Sequence, residues 1–286
     1  MHNIHGKRPA RATTLSVRIG AGLAAAGWGL LIWMFWQTLL VGFTFQIDPR
    51  LAMAWTALVT LIFLRVYAWG PRARRMRARL RVRGPGRTWK WLLATVPAMM
   101  VLPHALWVAL LSFGLAREAP LPDMITKFAE RPYGELAFWI LALAALPLVE
   151  EFAFRGWIQR PLERVMGSDA AIAASALLFS LMHMQADAFP VRLAGGLVLG
   201  YAVFASRSLW AGLVLHAAWN AGVLAITLLE WPPDPTGKGW AWGGPAAAIT
   251  LVAMVWCAWG VKKMQDDAGR PPQDRRAASG SPVASS

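Results

Sequence analysis

The chain alternates between long apolar runs and short polar connections that are mostly basic. Its first run is the plainest, with 29 uncharged residues from Ile19 to Ile47 lying between Arg18 and Asp48. A water-exposed helix of that length needs a polar stripe, so this segment reads as membrane-spanning. Its apolar stretch also exceeds the core of a secretory signal, despite Lys7, Arg8 and Arg11 ahead of it. A hydrocarbon core takes about 20 apolar residues of helix. That ruler places spans near 19–47, 51–68, 91–115, 136–158, 169–186, 192–206, 209–229 and 243–261. The run 192–206 is short and 136–158 carries charge, which allows a half-helix or a broken helix at either. The pattern predicts an all-α, polytopic transmembrane helix bundle of about eight spans.

Composition strengthens this reading, because 57% hydrophobic against 15% charged residues argues against a soluble globule. A net charge of +14 would ordinarily suggest nucleic acid. Here the cations cluster between apolar runs, where the lipid bilayer and its anionic headgroups are the expected partner and nucleic acid is not. With the N-terminus inside, 23 Lys and Arg fall on one side and six on the other, which predicts both termini in the cytoplasm. Nine of the 23 lie between Arg72 and Lys90, a topology-setting cytoplasmic loop that touches anionic lipid.

The expected organisation is a cytoplasmic segment 1–18, N-terminal spans over 19–135 with the Arg-rich loop 70–90, and a core over 136–229. A last span over 230–262 and a disordered cytoplasmic tail, 263–286, complete it. The single cysteine, Cys257, allows no intrachain disulfide and no Cys-based zinc site. Trp69, Trp89, Trp91, Trp231 and Trp240 sit near span ends as interfacial anchors. Gly196 and Gly200 form a small-xxx-small pair that predicts close helix packing.

An ionised group at the bilayer centre costs at least about 2.5–3.5 kcal/mol, so each polar residue inside a span asks for a partner or a purpose. The candidates are Glu150, Glu151 and Arg155 in the fourth span, His183 in the fifth, and His216 with Asn220 in the seventh. Glu151 and Arg155 are four apart and share a face, where a salt bridge neutralises both. Glu150, about 100° round the helix, faces a different cavity. Pro147 removes a backbone hydrogen bond just before it, so the helix bends and water can approach. Phe179 precedes His183 by one turn, as His216 precedes Asn220. At about 1.5 Å per residue, Glu150, His183 and His216 lie at compatible depths.

One glutamate and two histidines can hold zinc with an open fourth position. Without metal, Glu150 is a general base on a water held by His183, while His216 and Asn220 donate to an oxyanion. Either arrangement hydrolyses an amide. His-Glu-x-x-His and Gly-x-Ser-x-Gly motifs are absent from the sequence. The same residues also suit a polar network that locks a non-catalytic scaffold or immunity protein, or the relay of a proton-coupled transporter. All of these readings stay open on spacing alone.

The motifs narrow the choice. Glu150-Glu151-Phe152-Ala153-Phe154-Arg155 resembles the Glu-Glu-x-x-x-Arg motif of the CPBP intramembrane proteases, the CAAX protease and bacteriocin-processing (Abi-type) group that includes the Ras-converting CAAX endopeptidase. Phe179 to His183 is similar to its Phe-x-x-x-His motif, and His216 to Asn220 to its His-x-x-x-Asn motif. The resemblance covers about 136–229, with the motifs in order on successive apolar runs. It implies a membrane endopeptidase in which Glu150 activates water, His183 holds it, and His216 and Asn220 stabilise the oxyanion. Glu151, Arg155 and Phe179 would support that site. Metalloprotease and metal-free glutamate mechanisms are both ascribed to the family, so zinc on Glu150, His183 and His216 is one implied assignment and a bare carboxylate the other. The implied substrate is a hydrophobic or membrane-tethered peptide or protein. The Arg-rich loop suits a multi-pass protein of a bacterial inner membrane.

Overall fold

The computed structural model describes residues 15–37, 58, 80–117, 141–228 and 234–269. Among these, the regular structure is entirely helical: α1 Leu15–Gln37, α2 Trp89–Ser112, α3 Leu146–Glu151, α4 Arg160–Met166, α5 Ser168–Leu181, α6 Phe189–Ser206, α7 Leu209–Leu228 and α8 Trp240–Gly269. Among the described residues, three helical stretches are long and apolar enough to cross a membrane: Gly86–Ser112, which contains α2, then α6 and α8. Shorter apolar stretches lie in α1, α5 and α7. The expected span 51–68, apart from Leu58, lies outside the described residues, as do 38–47 and 136–140. Trp69 and Trp231 do too.

The charged fourth run is the irregular one. α3 is flanked by π-helical stretches, Leu141–Ala145 before it and Phe152–Gln159 after it, and α4 continues the same rod. Pro147 has no N–H to donate, and the wider turn lies immediately ahead of it. The predicted break is therefore a widening on both sides of Glu150 and Glu151. The short sixth run gains a turn instead. Pro190 fits the first turn of α6, where no N–H is needed, so the helix starts at Phe189 and reaches spanning length. Gly167, at φ +84°, makes the sharp reversal between α4 and α5 that a side chain would strain.

α5 packs along α6, α7 along α2, and α2 along α8, while α1 lies against the second π-helical stretch. The small-xxx-small pair does what its spacing predicts. A Cβ on Gly196 would come within 3.1 Å of the Ala176 Cβ, and one on Gly200 within 2.8 Å of Ile172 Cγ2. On the outside of α8, Leu251, Val252, Val255, Trp256 and Trp259 are exposed, as expected of a surface that meets lipid.

One expectation needs correction. Residues 263–269, predicted to open a disordered tail, continue α8, because Asp267 accepts from the Trp91 indole at 2.6 Å and Lys262 bridges Asp266 at 2.9 Å. Residues 270–286 lie outside the described residues. The described end of the Arg-rich loop, from Leu80 onward, also packs on protein. Leu80 is buried with Phe152, Val203 and Leu209, and the Arg81 guanidinium makes two 2.8 Å hydrogen bonds to Glu163. Arg83 donates to the Arg207 carbonyl at 2.9 Å.

Candidate active site

The polar residues of three separate helical segments meet on one side of the α3 rod. Glu150 and Glu151 end α3, and both are buried, as is Arg155 in the π-helical stretch beyond. The predicted i,i+4 bridge forms, with Arg155 Nη1 3.0 Å from Glu151 Oε1. Arg155 is further fixed by its Nη2 donating to the Gly196 carbonyl at 3.0 Å and by its guanidinium lying 4.9 Å from the Phe179 ring centroid. Breaking such a buried pair from one side costs about 3–5 kcal/mol.

Glu151 has a second task that the spacing did not reveal. Its Oε1 also accepts from His216 Nδ1 at 2.9 Å. A carboxylate accepts only, so Nδ1 carries the proton and the ring is fixed in orientation, as an aspartate fixes the histidine of a hydrolytic triad. The close approach depends on Gly212, one turn before His216 on α7, because a Cβ there would collide with Glu151 Oε2 and Val203. His216 Nε2 then points to Glu150, 3.4 Å from Oε2.

His183 approaches from the turn after α5. Its Nδ1 donates to the Phe179 carbonyl at 2.7 Å, which leaves Nε2 with its lone pair 3.7 Å from Glu150 Oε1. Phe179 joins the two histidines physically, with ring centroids 4.8 Å from His183 and 5.7 Å from His216, and stacks edge-on against Phe154 at 5.1 Å. Ser180 ties the turn down by donating to the Phe189 carbonyl at 2.7 Å. Asn220 lies one turn beyond His216 along α7, half-buried.

Two neighbours carried no sequence signal. Trp33 of α1 is buried, 5.9 Å from the His183 ring and 6.0 Å from Phe154 between centroids. It walls the site from the side of the first span, and an aromatic inside an apolar run gives no hint of that. Arg192, in the first turn of α6, is half-buried and close enough to Glu150 and His183 to interact with both electrostatically.

Zinc would need both imidazole Nε2 atoms and a Glu150 oxygen at about 2.0–2.2 Å from one point. The two nitrogens instead address different oxygens of Glu150. Among the described residues no group of three His, Cys, Asp or Glu is placed to hold a metal ion. The donor set as arranged does not fit the metal.

No curated protein matches the chain. No solved structure matches it either. Residues 132–222 match the family described as type II CAAX prenyl endopeptidase Rce1-like, a segment that contains all three motifs. With three helices able to span, this is a multi-pass membrane protein. The segment that carries Glu150, His183 and His216 is thus similar to the Rce1-like, type II CAAX prenyl endopeptidase family.

Proposed function

We propose that this protein is an intramembrane endopeptidase that cleaves a prenylated or otherwise membrane-tethered protein with a water activated by Glu150. The observation that carries the reading is the way Glu150 faces one histidine nitrogen on each oxygen, at 3.7 Å and 3.4 Å. Those separations exceed good hydrogen-bond length and suit small reactants seated beside the carboxylate rather than a closed salt bridge. An apo site commonly tightens only when substrate enters.

The reaction runs as follows. A water donates one hydrogen to His183 Nε2, whose lone pair is freed by the Nδ1 contact to Phe179, and the other to Glu150. Glu150 takes its proton as the water oxygen bonds to the scissile carbonyl carbon. The resulting oxyanion accepts hydrogen bonds from His216 Nε2 and from Asn220. Because His216 Nδ1 is committed to Glu151, Nε2 donates as the imidazolium, and two carboxylates beside one arginine supply the compensating charge. Glu150 then passes its proton to the departing nitrogen as the C–N bond breaks. Glu151, Arg155 and Phe179 keep the histidines in place.

The architecture proposed around this chemistry is eight spans with both termini in the cytoplasm, in a bacterial inner membrane. The test is cleavage of an S-farnesylated peptide, or of a membrane-tethered reporter, by the purified protein in detergent. Glu150→Gln is expected to abolish it while leaving thermal unfolding unchanged. Undiminished turnover in that variant contradicts the assignment.

A further inference from the structure

α2 and α8 supply none of the residues set around Glu150, and a second charged cluster lies where the start of one meets the end of the other. Trp91, in the first turn of α2, donates its indole N–H to Asp267, in the last turn of α8, at 2.6 Å. Its ring also stands edge-on to Trp259, with centroids 5.4 Å apart. The two backbones come close here, because a Cβ on Gly260 would collide with Thr95 Oγ1. Two ammonium groups converge on the same indole. Lys90 Nζ lies 5.0 Å from the ring centroid and Lys263 Nζ 5.7 Å.

Like charges drawn to one point repel, so the pair asks for an anion. Asp267 supplies one negative charge for two lysines, and it already accepts from the indole and lies 3.5 Å from Lys90. The neighbouring Asp266 is taken by Lys262 at 2.9 Å. One positive charge is left in surplus at the indole. A lysine that serves only as an interfacial anchor extends alone into the headgroups; here two lysines from different helices share one ring.

The helix faces beneath the lysines give the class of the anion. On α2, Leu93, Pro97 and Val101 follow Lys90 at helical spacing, and all three are exposed. On α8, Trp259, Val255 and Val252 precede Lys263 at helical spacing, and they are exposed too. Residues so spaced share a face. Each lysine therefore heads an apolar stripe down its own helix, and the common indole sets the two stripes beside one seam. A free phosphate would use the lysines alone. A phospholipid uses the lysines and the stripes together.

We propose that the α2–α8 seam binds an anionic phospholipid, with the headgroup phosphate between Lys90 and Lys263 and the acyl chains along the apolar stripes. Trp91 and Asp267 hold the lysines ready. A zwitterionic lipid brings its own cation to the phosphate, so it gains less from the surplus charge.

The test is native mass spectrometry of the full-length protein in a neutral detergent, titrated with phosphatidylglycerol or with phosphatidylcholine carrying the same chains. A lysine beside an anionic lipid contributes about 5-fold in affinity, so phosphatidylglycerol is expected to bind about 25-fold more tightly. Lys263→Gln should lower that preference about 5-fold, and Lys90→Gln combined with it should remove most of the rest. The adjacent Lys262→Gln, whose ammonium is engaged by Asp266, should keep the preference. Equal binding of the two lipids overturns the proposal and needs no variant to fold. A loss in Lys262→Gln as large as that in Lys263→Gln also overturns it, by assigning the effect to surface charge in general. Displacement of phosphatidylglycerol by an equal concentration of glycerol 3-phosphate would show that the phosphate alone is recognised, and would overturn the lipid assignment.

Discussion

The α3–α4 rod carries two charge clusters, and they are built differently. At its far end Glu163 is saturated: Arg81 binds both its oxygens at 2.8 Å, Arg160 adds a contact at 2.9 Å and Gln159 one at 3.0 Å. About three turns earlier, Glu151 is held through Oε1, at 3.0 Å by Arg155 and 2.9 Å by His216. Glu150, next to it, meets its imidazoles only at 3.4 Å and 3.7 Å. A carboxylate surrounded at full hydrogen-bond length is spent on holding elements together. One that faces an imidazole on each oxygen is placed to exchange a proton with a water held between them. The comparison predicts that neighbouring acids on one rod separate cleanly into stability and turnover.

The largest effect is expected at Glu150. Glu150→Gln should lower turnover by about 10²–10⁴-fold, the usual contribution of a general base, when initial rates are compared at equal protein concentration. Next comes Arg155→Ala, which strands Glu151 in the interior and should cost about 3–5 kcal/mol of stability, read as a lowered Tm in detergent. Glu151→Gln should fall between the classes. It keeps the shape but weakens the orientation of His216, so kcat is expected to drop about 10- to 100-fold, the range seen for outer partners of a functional histidine. A Glu151→Gln protein with unchanged kcat would make Glu151 purely a packing residue.

At the saturated cluster, Glu163→Gln should cost about 1–3 kcal/mol through lost charged hydrogen bonds and leave kcat untouched, as thermal melts and rates on one preparation would reveal. The smallest effect expected is none at all. Dialysis against a chelator should not change turnover, because the three donors do not converge on a metal position; loss of activity restored by zinc would contradict that arrangement.

Much of this was legible in the sequence, for physical reasons. Apolar length and charge placement predicted the helical elements seen in the described residues, and helical spacing predicted the Glu151–Arg155 pair and the Gly196–Gly200 contact. What spacing cannot convey is contact between segments. The bond from Glu151 to His216 joins positions 65 apart in the chain, and the place of Trp33 beside His183 depends on how α1 lies on the π-helical stretch. That Arg192 is half-buried near Glu150 depends likewise on packing that a charge tally does not see. The tail expectation failed over 263–269 for a related reason. Polar composition suggested disorder, but Asp267 had a tertiary partner in Trp91, and a partner outweighs composition.

The most direct test of the account compares Glu150→Gln with Glu163→Gln in one experiment, measuring peptide cleavage and thermal unfolding on both. The account predicts a crossed result: Glu150→Gln melts like the wild type and does not cleave, while Glu163→Gln melts earlier and cleaves at the wild-type rate. A Glu150→Gln protein that cleaves normally, or one whose inactivity is matched by an equal loss of Tm, contradicts the assignment of Glu150 as the base.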